Sequence, residues 1–478
     1  MVGREKEISE LIELFNRDKA ELVAIYGRRR IGKTYLVDET FKGRITFRHA
    51  GLSPIEMDEL KGDRPLKKQL QAFYYSLKSQ GLKEGHCPED WLEAFFMLEM
   101  LLQDIDDGSR QLIFLDELPW MDTPKSGFIT AFESFWNSWA CHRNVMVIVS
   151  GSANSWITDR LINNHSGLYG RVTYEIKLEP FTLRECELLL SERKINLSRY
   201  DIVQSYMIFG GVPFYLNYFQ RGMSLAQNID ELFFLKGAKL RMEYDRLFSS
   251  IFANPEMIKS IINALSKRSI GLTRSEISEQ IKYSEGGTLS KSLNALIASD
   301  FIIKYTPFGC KKTEKYYKLI DPFCLFFLHF VENKDSIPDD FWKQNITSQS
   351  IVSWRGFSFE NVCFCHIEQI KQALGVSGIS TTQSAWSKIG DELPGTQIDL
   401  IISRKDNVIN MCEIKFYSDE FTVDKSYNNL LRHRQSELSK LIPKKSTIHN
   451  TLITTYGIKD NEYRWSFEKV ITMDDLFR

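Results

Sequence analysis

The residues GRRRIGKT have the spacing GxxxxGK followed by Ser or Thr. In this spacing two glycines let backbone N–H groups curve around phosphate oxygens, the lysine reaches the outer phosphates, and the hydroxyl ligates Mg²⁺. The loop lies between an apolar run, LVAIY, and a helical pattern, YLVDETF, which is the strand–loop–helix order that phosphate binding requires. The sequence therefore predicts that ATP and Mg²⁺ bind at Gly27, Arg28, Arg29, Arg30, Ile31, Gly32, Lys33, Thr34 and Tyr35.

A second motif, LIFLDE, ends an apolar run with two acids, Asp116 and Glu117. The carboxyl end of a parallel strand is where ligands of an open α/β sheet bind. Asp116 is expected to hold Mg²⁺, directly or through water. Glu117 is expected to polarise the attacking water, which favours hydrolysis over binding alone. The next apolar run, VMVIV, ends in SGSAN, where Ser150 or Ser152 can contact the γ-phosphate.

Several arginines allow more than one interpretation. Arg171, in LYGRVTYEIKLEPF, either stabilises charge on the γ-phosphate or is a surface or structural residue. In the first case it acts in cis or from a neighbouring subunit. The three arginines of the phosphate loop crowd it, and their long side chains can point outward.

A third chemical set lies in GTQIDLIISRKDNVINMCEIKF, where two apolar runs flank a polar turn. Asp399 belongs to the first run. Glu413 and Lys415 belong to the second and share one face of their strand, because they are two residues apart. Two carboxylates can share a divalent cation, and a lysine can help deprotonate its bound water. This predicts a metal site at Asp399 and Glu413 for Mg²⁺, or Mn²⁺, and phosphodiester hydrolysis. Glu360, on an upstream helical segment, is a candidate third carboxylate.

Bulk composition indicates a soluble chain of several domains. Its 478 residues exceed what one hydrophobic core usually covers. The net charge of −1 gives no global sign of nucleic-acid binding, so any basic surface must be local. The most apolar run, FCLFFLHFV, is too short to span a bilayer, and the N-terminal residues lack the apolar stretch of a signal peptide. We expect a cytoplasmic protein with no membrane partner.

The hydrophobic pattern predicts a multidomain α/β fold. Residues 1–180 alternate strand-like and helical patterns, which indicates a P-loop core with a parallel sheet. Residues 181–250 are expected to form a helical lid, 251–331 a winged helix-turn-helix, and 332–350 a polar linker. Residues 351–478 return to strands flanked by helices.

The predicted winged helix-turn-helix has the order helix, helix, turn, helix and two alternating strands. Thr273 and Thr288 occupy positions where N-caps are expected. Two interpretations remain open: this domain reads DNA, or it only packs against the P-loop core. In the first, the helix after the turn faces a DNA groove and the wing contacts phosphates. The groove-facing residues would be Thr288, Ser290, Lys291 and Asn294, and the wing residues would be Lys311, Lys312 and Lys315.

Six motifs resemble, in order, those of the archaeal and bacterial ATPase family in the AAA+/STAND branch of P-loop NTPases. They are VGREKEI, GRRRIGKT, LIFLDE, GSANSW, LYGRVTYEIKLEPF and GGVPFYL, and they span roughly residues 1–220. The resemblance implies that the VGRE box lies near the adenine. It also implies that Pro213, in GGVP, contacts the nucleotide from the helical lid.

The segments QIDL and CEIKF, with Glu360 upstream, resemble the PD-(D/E)xK nuclease superfamily. More closely, they resemble the nuclease-like domain attached to ATPases of the same family, although the proline before Asp399 is absent. The resemblance implies an α/β/α, restriction-endonuclease-like domain in which Glu360, Asp399, Glu413 and Lys415 are catalytic. Two functions follow. One is an ATP- and Mg²⁺-dependent enzyme that cuts DNA. The other is a STAND-like switch with a protein partner and a non-cutting C-terminal domain. A homo-oligomer is compatible with either.

Overall fold

The computed structural model describes residues 2–53, 56–57, 65–152, 154–163, 168, 170–252, 254–311, 313–332, 337–388 and 396–478. The chain divides into two compact units. The first contains Met1–Pro180, Asp245–Ile258 and Ser292–Ser299, and the second contains Phe181–Tyr244, Lys259–Lys291 and Asp300–Arg478. Within these described ranges, no helix combines the length and the apolar composition needed to cross a bilayer.

A parallel sheet of five strands forms the centre of the first unit, in the order β2–β3–β4–β1–β5. The strands are β1 (Glu21–Tyr26), β2 (Phe47–Ala50), β3 (Gln111–Asp116), β4 (Val145–Gly151) and β5 (Tyr174–Lys177). Every residue of β3 and β4 is buried, as expected for parallel strands that are covered on both faces. The predicted parallel sheet of residues 1–180 is confirmed.

Alternate residues of β1 pack into two separate hydrophobic clusters, because successive side chains of a strand point to opposite faces. Val23 and Ile25 belong to the cluster with helices Glu5–Phe15 and Lys33–Thr40. Leu22 and Ala24 belong to the cluster on the other face. The helices of this second cluster are Pro65–Ser79, Trp91–Asp104 and Phe128–Ser138. The first unit also contains shorter helical segments, Leu118–Met121, Ala140–His142, Asn154–Trp156 and Ile157–Ile162.

The lid region is helical, as the sequence predicts. Its helical segments are Leu183–Glu192, Arg199–Phe209, Pro213–Leu216, Leu225–Ile229, Asp230–Phe234 and Glu243–Ile251. The apolar run FCLFFLHFV forms helix Pro322–Phe330, whose phenylalanines are largely buried. The segment 332–350, expected to be a linker, contains helix Phe341–Asn345. Trp342 of that helix is buried, and its backbone N–H donates to the Asp230 carboxylate at 2.8 Å.

The elements between residues 255 and 319 follow the predicted order, except that a short strand, β6, which was not predicted, follows the first helix. They are helix Pro255–Ser266, β6 (Leu272–Thr273), helix Arg274–Gln280, helix Gly287–Ala298, β7 (Ile302–Tyr305) and β8 (Tyr316–Leu319). The three strands form an antiparallel sheet, β6–β8–β7. Thr273 is an N-cap and forms a capping box with Glu276. The prediction for Thr288 is wrong, because its helix already begins at Gly287.

The C-terminal residues form a mixed sheet in the order β13–β12–β11–β10–β9. The strands are β9 (Thr381–Lys388), β10 (Thr396–Arg404), β11 (Val408–Lys415), β12 (Thr447–Thr454) and β13 (Lys469–Thr472). The predicted hairpin is β10 and β11, which pair antiparallel, whereas β11, β12 and β13 are parallel. The accompanying helical segments are Gln349–Cys365, Ile367–Leu374, Lys425–Ser439, Arg464–Ser466 and Met473–Phe477.

Candidate functional site

The phosphate loop joins β1 to helix Lys33–Thr40, and its two glycines are needed for different reasons. A Cβ on Gly27 would lie 2.3 Å from the carbonyl oxygen of Leu178, which follows β5. Gly32 has a φ of 92°, in the left-handed region that glycine adopts without steric cost. The loop is therefore held against β5 at one end and turned into the helix at the other.

Lys33 is buried at the mouth of this loop. Its ammonium donates to the carbonyl oxygens of Gly27 at 3.0 Å and Arg28 at 3.1 Å, and to the hydroxyl of Ser152 at 3.0 Å. Burial lowers the pKa of Lys33, while the carboxylates of Glu117 and Asp116 oppose that shift. Phosphate oxygens that enter the loop would replace neutral carbonyls as acceptors for this ammonium, which forms stronger hydrogen bonds with charged acceptors.

Thr34 and Asp116 meet at the carboxyl edge of the sheet, as the sequence predicts. The Thr34 hydroxyl donates to the Asp116 carboxylate at 2.7 Å. A hydroxyl oxygen and a carboxylate oxygen, side by side, are the hard oxygen ligands that Mg²⁺ prefers. These two residues fit the Mg²⁺ that accompanies a bound nucleotide.

Glu117 is held in place by the serines at the end of β4. Its carboxylate accepts from the backbone N–H of Ser152 at 2.9 Å and from the Ser152 hydroxyl. Its own N–H donates to the Asp116 carboxylate at 3.1 Å and to the Ser150 hydroxyl at 3.3 Å. Glu117 has a φ of 48°, a conformation that costs a non-glycine residue on the order of 1–3 kcal/mol and is concentrated at functional sites.

The three arginines of the phosphate loop differ in their surroundings. Arg28 is only 2% exposed, so the outward direction considered for these side chains is wrong for this residue. The Arg29 guanidinium lies 5.7 Å from the centre of the Trp120 ring, within the distance of a cation–π contact. Arg30 has a φ of 73°, so the loop also turns through the left-handed region at this position.

The other predicted nucleotide-binding residues are more scattered. Ile31 is buried in a core cluster, whereas Tyr35 is 55% exposed. Arg171 is exposed in the turn before β5, and its role with the γ-phosphate stays a prediction. Pro213 belongs to the second unit and begins helix Pro213–Leu216, so its contact with nucleotide also stays a prediction. Arg4 of the VGRE box donates to the Glu179 carbonyl after β5.

The C-terminal candidates lie together, Asp399 within β10 and Glu413 and Lys415 at the end of β11. The Lys415 ammonium lies 3.6 Å from the Glu413 carboxylate and 4.0 Å from the Asp399 carboxylate. The backbone N–H of Ile414 donates to Asp399 at 3.3 Å. The hairpin therefore brings these three side chains together, as their spacing predicts.

Both oxygens of Glu413 are already bonded by helix Lys425–Ser439. Arg434 lies 2.6 Å from each oxygen, and the Tyr427 hydroxyl donates to one of them at 2.7 Å. Glu413 is fully buried, and an arginine in this geometry satisfies such a carboxylate without a metal. In the described part of the chain, no group of three or more His, Cys, Asp or Glu side chains is arranged to hold a metal ion. As arranged, these residues do not fit the predicted metal site.

Glu360 joins the same charge cluster from helix Gln349–Cys365. Burial and the Asp399 carboxylate raise the pKa of Glu360 to about 8. Lys318, from β8, opposes that shift, and burial lowers its own pKa. The three acids are thus accompanied by three basic side chains, Lys318, Lys415 and Arg434. Lys318 was not among the candidates from the sequence.

Comparisons with known proteins agree with the nucleotide site. Residues 1–219 match a family model described as an ATPase domain predominantly from Archaea. An uncharacterised protein of Methanocaldococcus jannaschii is 26% identical over 364 residues, which cover 76% of each chain. An uncharacterised ATP-binding protein of the same organism is 24% identical over 243 residues, which cover 44% of this chain and 67% of that one.

Among solved structures, the chain is similar to the Walker-type ATPase of Pyrococcus abyssi, with a TM-score of 0.46 and 18% identity. The alignment covers 69% of this chain and 96% of that one. The family match and the contacts of Lys33, Thr34, Asp116 and Glu117 support nucleotide binding and an ATPase function for residues 1–219.

Proposed function

We propose that this chain is an ATP-hydrolysing switch. ATP and Mg²⁺ bind to the first unit, and the nucleotide state controls how the chain engages DNA or a protein partner. One observation carries the proposal. Ser152 accepts a hydrogen bond from Lys33 and donates one to Glu117, so the phosphate-binding lysine and the water-polarising acid share one partner.

This shared partner suggests how the γ-phosphate controls hydrolysis. The loop N–H groups and Lys33 bind the β- and γ-phosphates, and Thr34 and Asp116 would hold Mg²⁺, which neutralises phosphate charge when bound. A γ-phosphate oxygen is a strong acceptor for Lys33 and for the N–H and hydroxyl of Ser152. Once Ser152 turns to the phosphate, the Glu117 carboxylate is released and can accept a hydrogen bond from the attacking water.

Metal-dependent cleavage of DNA by an α/β/α nuclease-like C-terminal domain is the second candidate function. The gathering of the four predicted catalytic residues favours it. The bonds of Glu413 to Arg434 and Tyr427 oppose it, because they must break before Glu413 can ligate a metal. We therefore propose that this domain binds its partner without cutting it.

The two candidate functions make different predictions for a supercoiled plasmid. The full chain is incubated with plasmid and Mg²⁺ or Mn²⁺, with and without ATP, and nicked circles and released phosphate are both measured. We expect phosphate release but no nicking above the buffer control, because Glu413 stays bonded to Arg434. Nicking by the wild type that disappears in Asp399→Ala would instead identify the nuclease.

DNA is the partner that the middle elements suggest. One face of helix Gly287–Ala298 exposes Thr288, Lys291 and Asn294, three residues apart. The opposite face buries its leucines, as a helix docked on a small core does. The exposed residues are the ones that the sequence assigns to a DNA groove, and they support a winged helix that reads DNA.

The wing between β7 and β8 offers a test of DNA binding. Lys311 and Lys315 are exposed there, and Lys312 lies outside the described residues. Lys311→Ala/Lys315→Ala should lower the slope of log affinity against log salt by about two units, since each phosphate contact contributes roughly 0.9. The slope is measured by fluorescence anisotropy with duplex DNA. Lys42→Ala/Lys83→Ala, two exposed lysines of the first unit, is the matched control. An equal slope in both double variants would favour the packing role of this domain.

A further inference from the structure

A cavity of about 640 Å³ lies within the second unit, in the size range of small-molecule sites. Residues of β8 and of helices Pro255–Ser266, Pro322–Phe330 and Gln349–Cys365 contribute to its lining. Four polar side chains that line it are more than nine-tenths buried: Lys318, Ser358, Glu360 and Asn361. Buried polar groups are normally hydrogen-bonded, so those that have no partner call for a physical explanation.

Three of these groups have at least one polar atom without a hydrogen-bond partner among the described residues. Neither Lys318 nor Glu360 makes a hydrogen bond or an ion pair with another described residue, and the Lys318 ammonium lies 4.6 Å from the centre of the Phe364 ring. The side-chain oxygen of Asn361 is buried and accepts no hydrogen bond from the described residues. An unsatisfied buried polar group is destabilising, and more so if it is charged. A ligand that satisfies all three would remove this destabilisation.

The lining defines what kind of ligand fits. The inner side chains offer two acceptor groups, the ionised Glu360 carboxyl and the Asn361 oxygen, and one cationic donor, Lys318, whose charge favours the ionised form of Glu360. Leu319 and Trp354 supply apolar wall. At the surface, Lys267 and Arg268 also line the cavity, and two adjacent cations are suited to a phosphate. One Nη of Arg268 is paired with Glu276 at 2.7 Å, which leaves its other N–H groups to donate.

We propose that this cavity binds a guanine nucleotide, with the base edge at Lys318, Glu360 and Asn361 and the phosphate at Lys267 and Arg268. Guanine presents two neighbouring N–H groups beside one carbonyl oxygen. That edge matches two acceptor groups and one donor. Cytosine and uracil each present one donor group and two acceptors on the same edge, and adenine presents one donor group and one acceptor, so all three would leave part of the lining unsatisfied. The site goes beyond the proposed ATPase, because it belongs to a different unit from Lys33 and requires no hydrolysis.

The test uses the full chain carrying Lys33→Ala, which removes the phosphate-loop lysine as a competing site. Guanosine 5′-monophosphate, adenosine 5′-monophosphate and inorganic phosphate are titrated separately by calorimetry. We expect the guanosine nucleotide to bind at least roughly tenfold more tightly than the adenosine nucleotide, the effect of about one lost hydrogen bond. A single-stranded oligonucleotide with an unpaired 5′-terminal guanine, compared with one ending in adenine, distinguishes a nucleic-acid end from a free nucleotide.

Variants and exchange measurements locate the site. Glu360→Gln and Asn361→Leu, in the same background, should each weaken guanosine-nucleotide binding roughly tenfold or more. Lys304→Met, on the neighbouring strand β7, changes an exposed lysine outside the cavity and should bind normally. Because the Glu360 and Asn361 variants can misfold, hydrogen exchange is also measured on the Lys33→Ala chain that lacks these substitutions, with and without the guanosine nucleotide. The nucleotide should protect residues 316–319 and 349–365.

The proposal is overturned by no binding of either guanosine monophosphate or the guanine-ended strand. It is also overturned by equal affinity for the guanine and adenine probes, or by protection confined to residues 27–34. Binding of the guanine-ended strand alone supports the site with nucleic acid as the source of the guanine.

Discussion

Glu117→Gln is expected to lower ATP turnover by about 10²- to 10⁴-fold, the usual contribution of a general base, while ATP binding is retained. Glutamine has the same shape and can still accept a hydrogen bond from the Ser152 N–H, which now contacts the carboxylate at 2.9 Å. It lacks the charge that polarises water. Steady-state phosphate release gives the turnover, and equilibrium titration with a fluorescent ATP analogue gives the affinity.

Glu39→Gln is the matched control for this substitution. Glu39 is exposed on helix Lys33–Thr40, so the same chemical change there should leave turnover near the wild-type value. If Glu117→Gln turned over ATP as fast as Glu39→Gln, Glu117 would not be the water-polarising residue. Loss of ATP binding in Glu117→Gln would instead indicate that Glu117 organises the loop.

Arg434→Met is expected to destabilise the C-terminal sheet by about 3–5 kcal/mol, the effect of breaking a buried ion pair by removing one partner. The substitution leaves the fully buried Glu413 carboxylate with Tyr427 and the more distant Lys415 ammonium. Urea unfolding is followed by hydrogen exchange of β11, because a chain of two units need not unfold in one transition. The destabilisation should appear as a lower urea midpoint for those amides.

Two further variants separate the ion pair from other effects. Arg432→Met changes an exposed arginine of the same helix and should cost little. Glu413→Gln/Arg434→Met removes both charges and should recover part of the lost stability. A wild-type midpoint in Arg434→Met would show that the pair contributes nothing. A midpoint of the wild-type chain that rises with Mn²⁺ and falls back in Glu413→Gln would restore the metal interpretation.

The nucleotide site could be predicted because its determinants are local. The apolar runs that become β1, β3 and β4 are short and bounded by polar residues. The candidate nucleotide-binding and catalytic residues lie at the end of each run or directly after it. The carboxyl edge of a parallel sheet then brings Thr34 and Asp116 into contact, although they are 82 residues apart in the sequence. Topology therefore converts three local patterns into one site.

Lys318 could not be predicted in the same way. Alternation in YYKLI directs it away from Tyr317 and Leu319, which for a two-faced strand means toward solvent. In the structure this lysine is only 5% exposed, and it lies near Phe364, 46 positions later in the chain. Its environment depends on the packing of a distant helix, and no local pattern encodes that packing.

Arg434 and Trp342 also could not be predicted, because both lie in segments whose composition suggests exposure to solvent. Arg434 belongs to a helix whose basic residues suggest a solvated face, but its long side chain reaches the buried Glu413. Trp342 lies in a polar segment expected to be a linker, and the Asp230 carboxylate, 112 residues away, fixes its backbone. In both cases a partner far along the chain overrides the local composition.

Mg²⁺-dependent release of phosphate from ATP, compared between the wild-type chain and Lys33→Ala, tests the proposed ATPase most directly. The wild type is expected to release phosphate. The variant should lose both ATP binding and release, because the Lys33 ammonium is the charge at the mouth of the phosphate loop. Lys19→Ala, at an exposed lysine of the same unit, should behave as the wild type. Wild-type phosphate release by Lys33→Ala would contradict the assignment of this site.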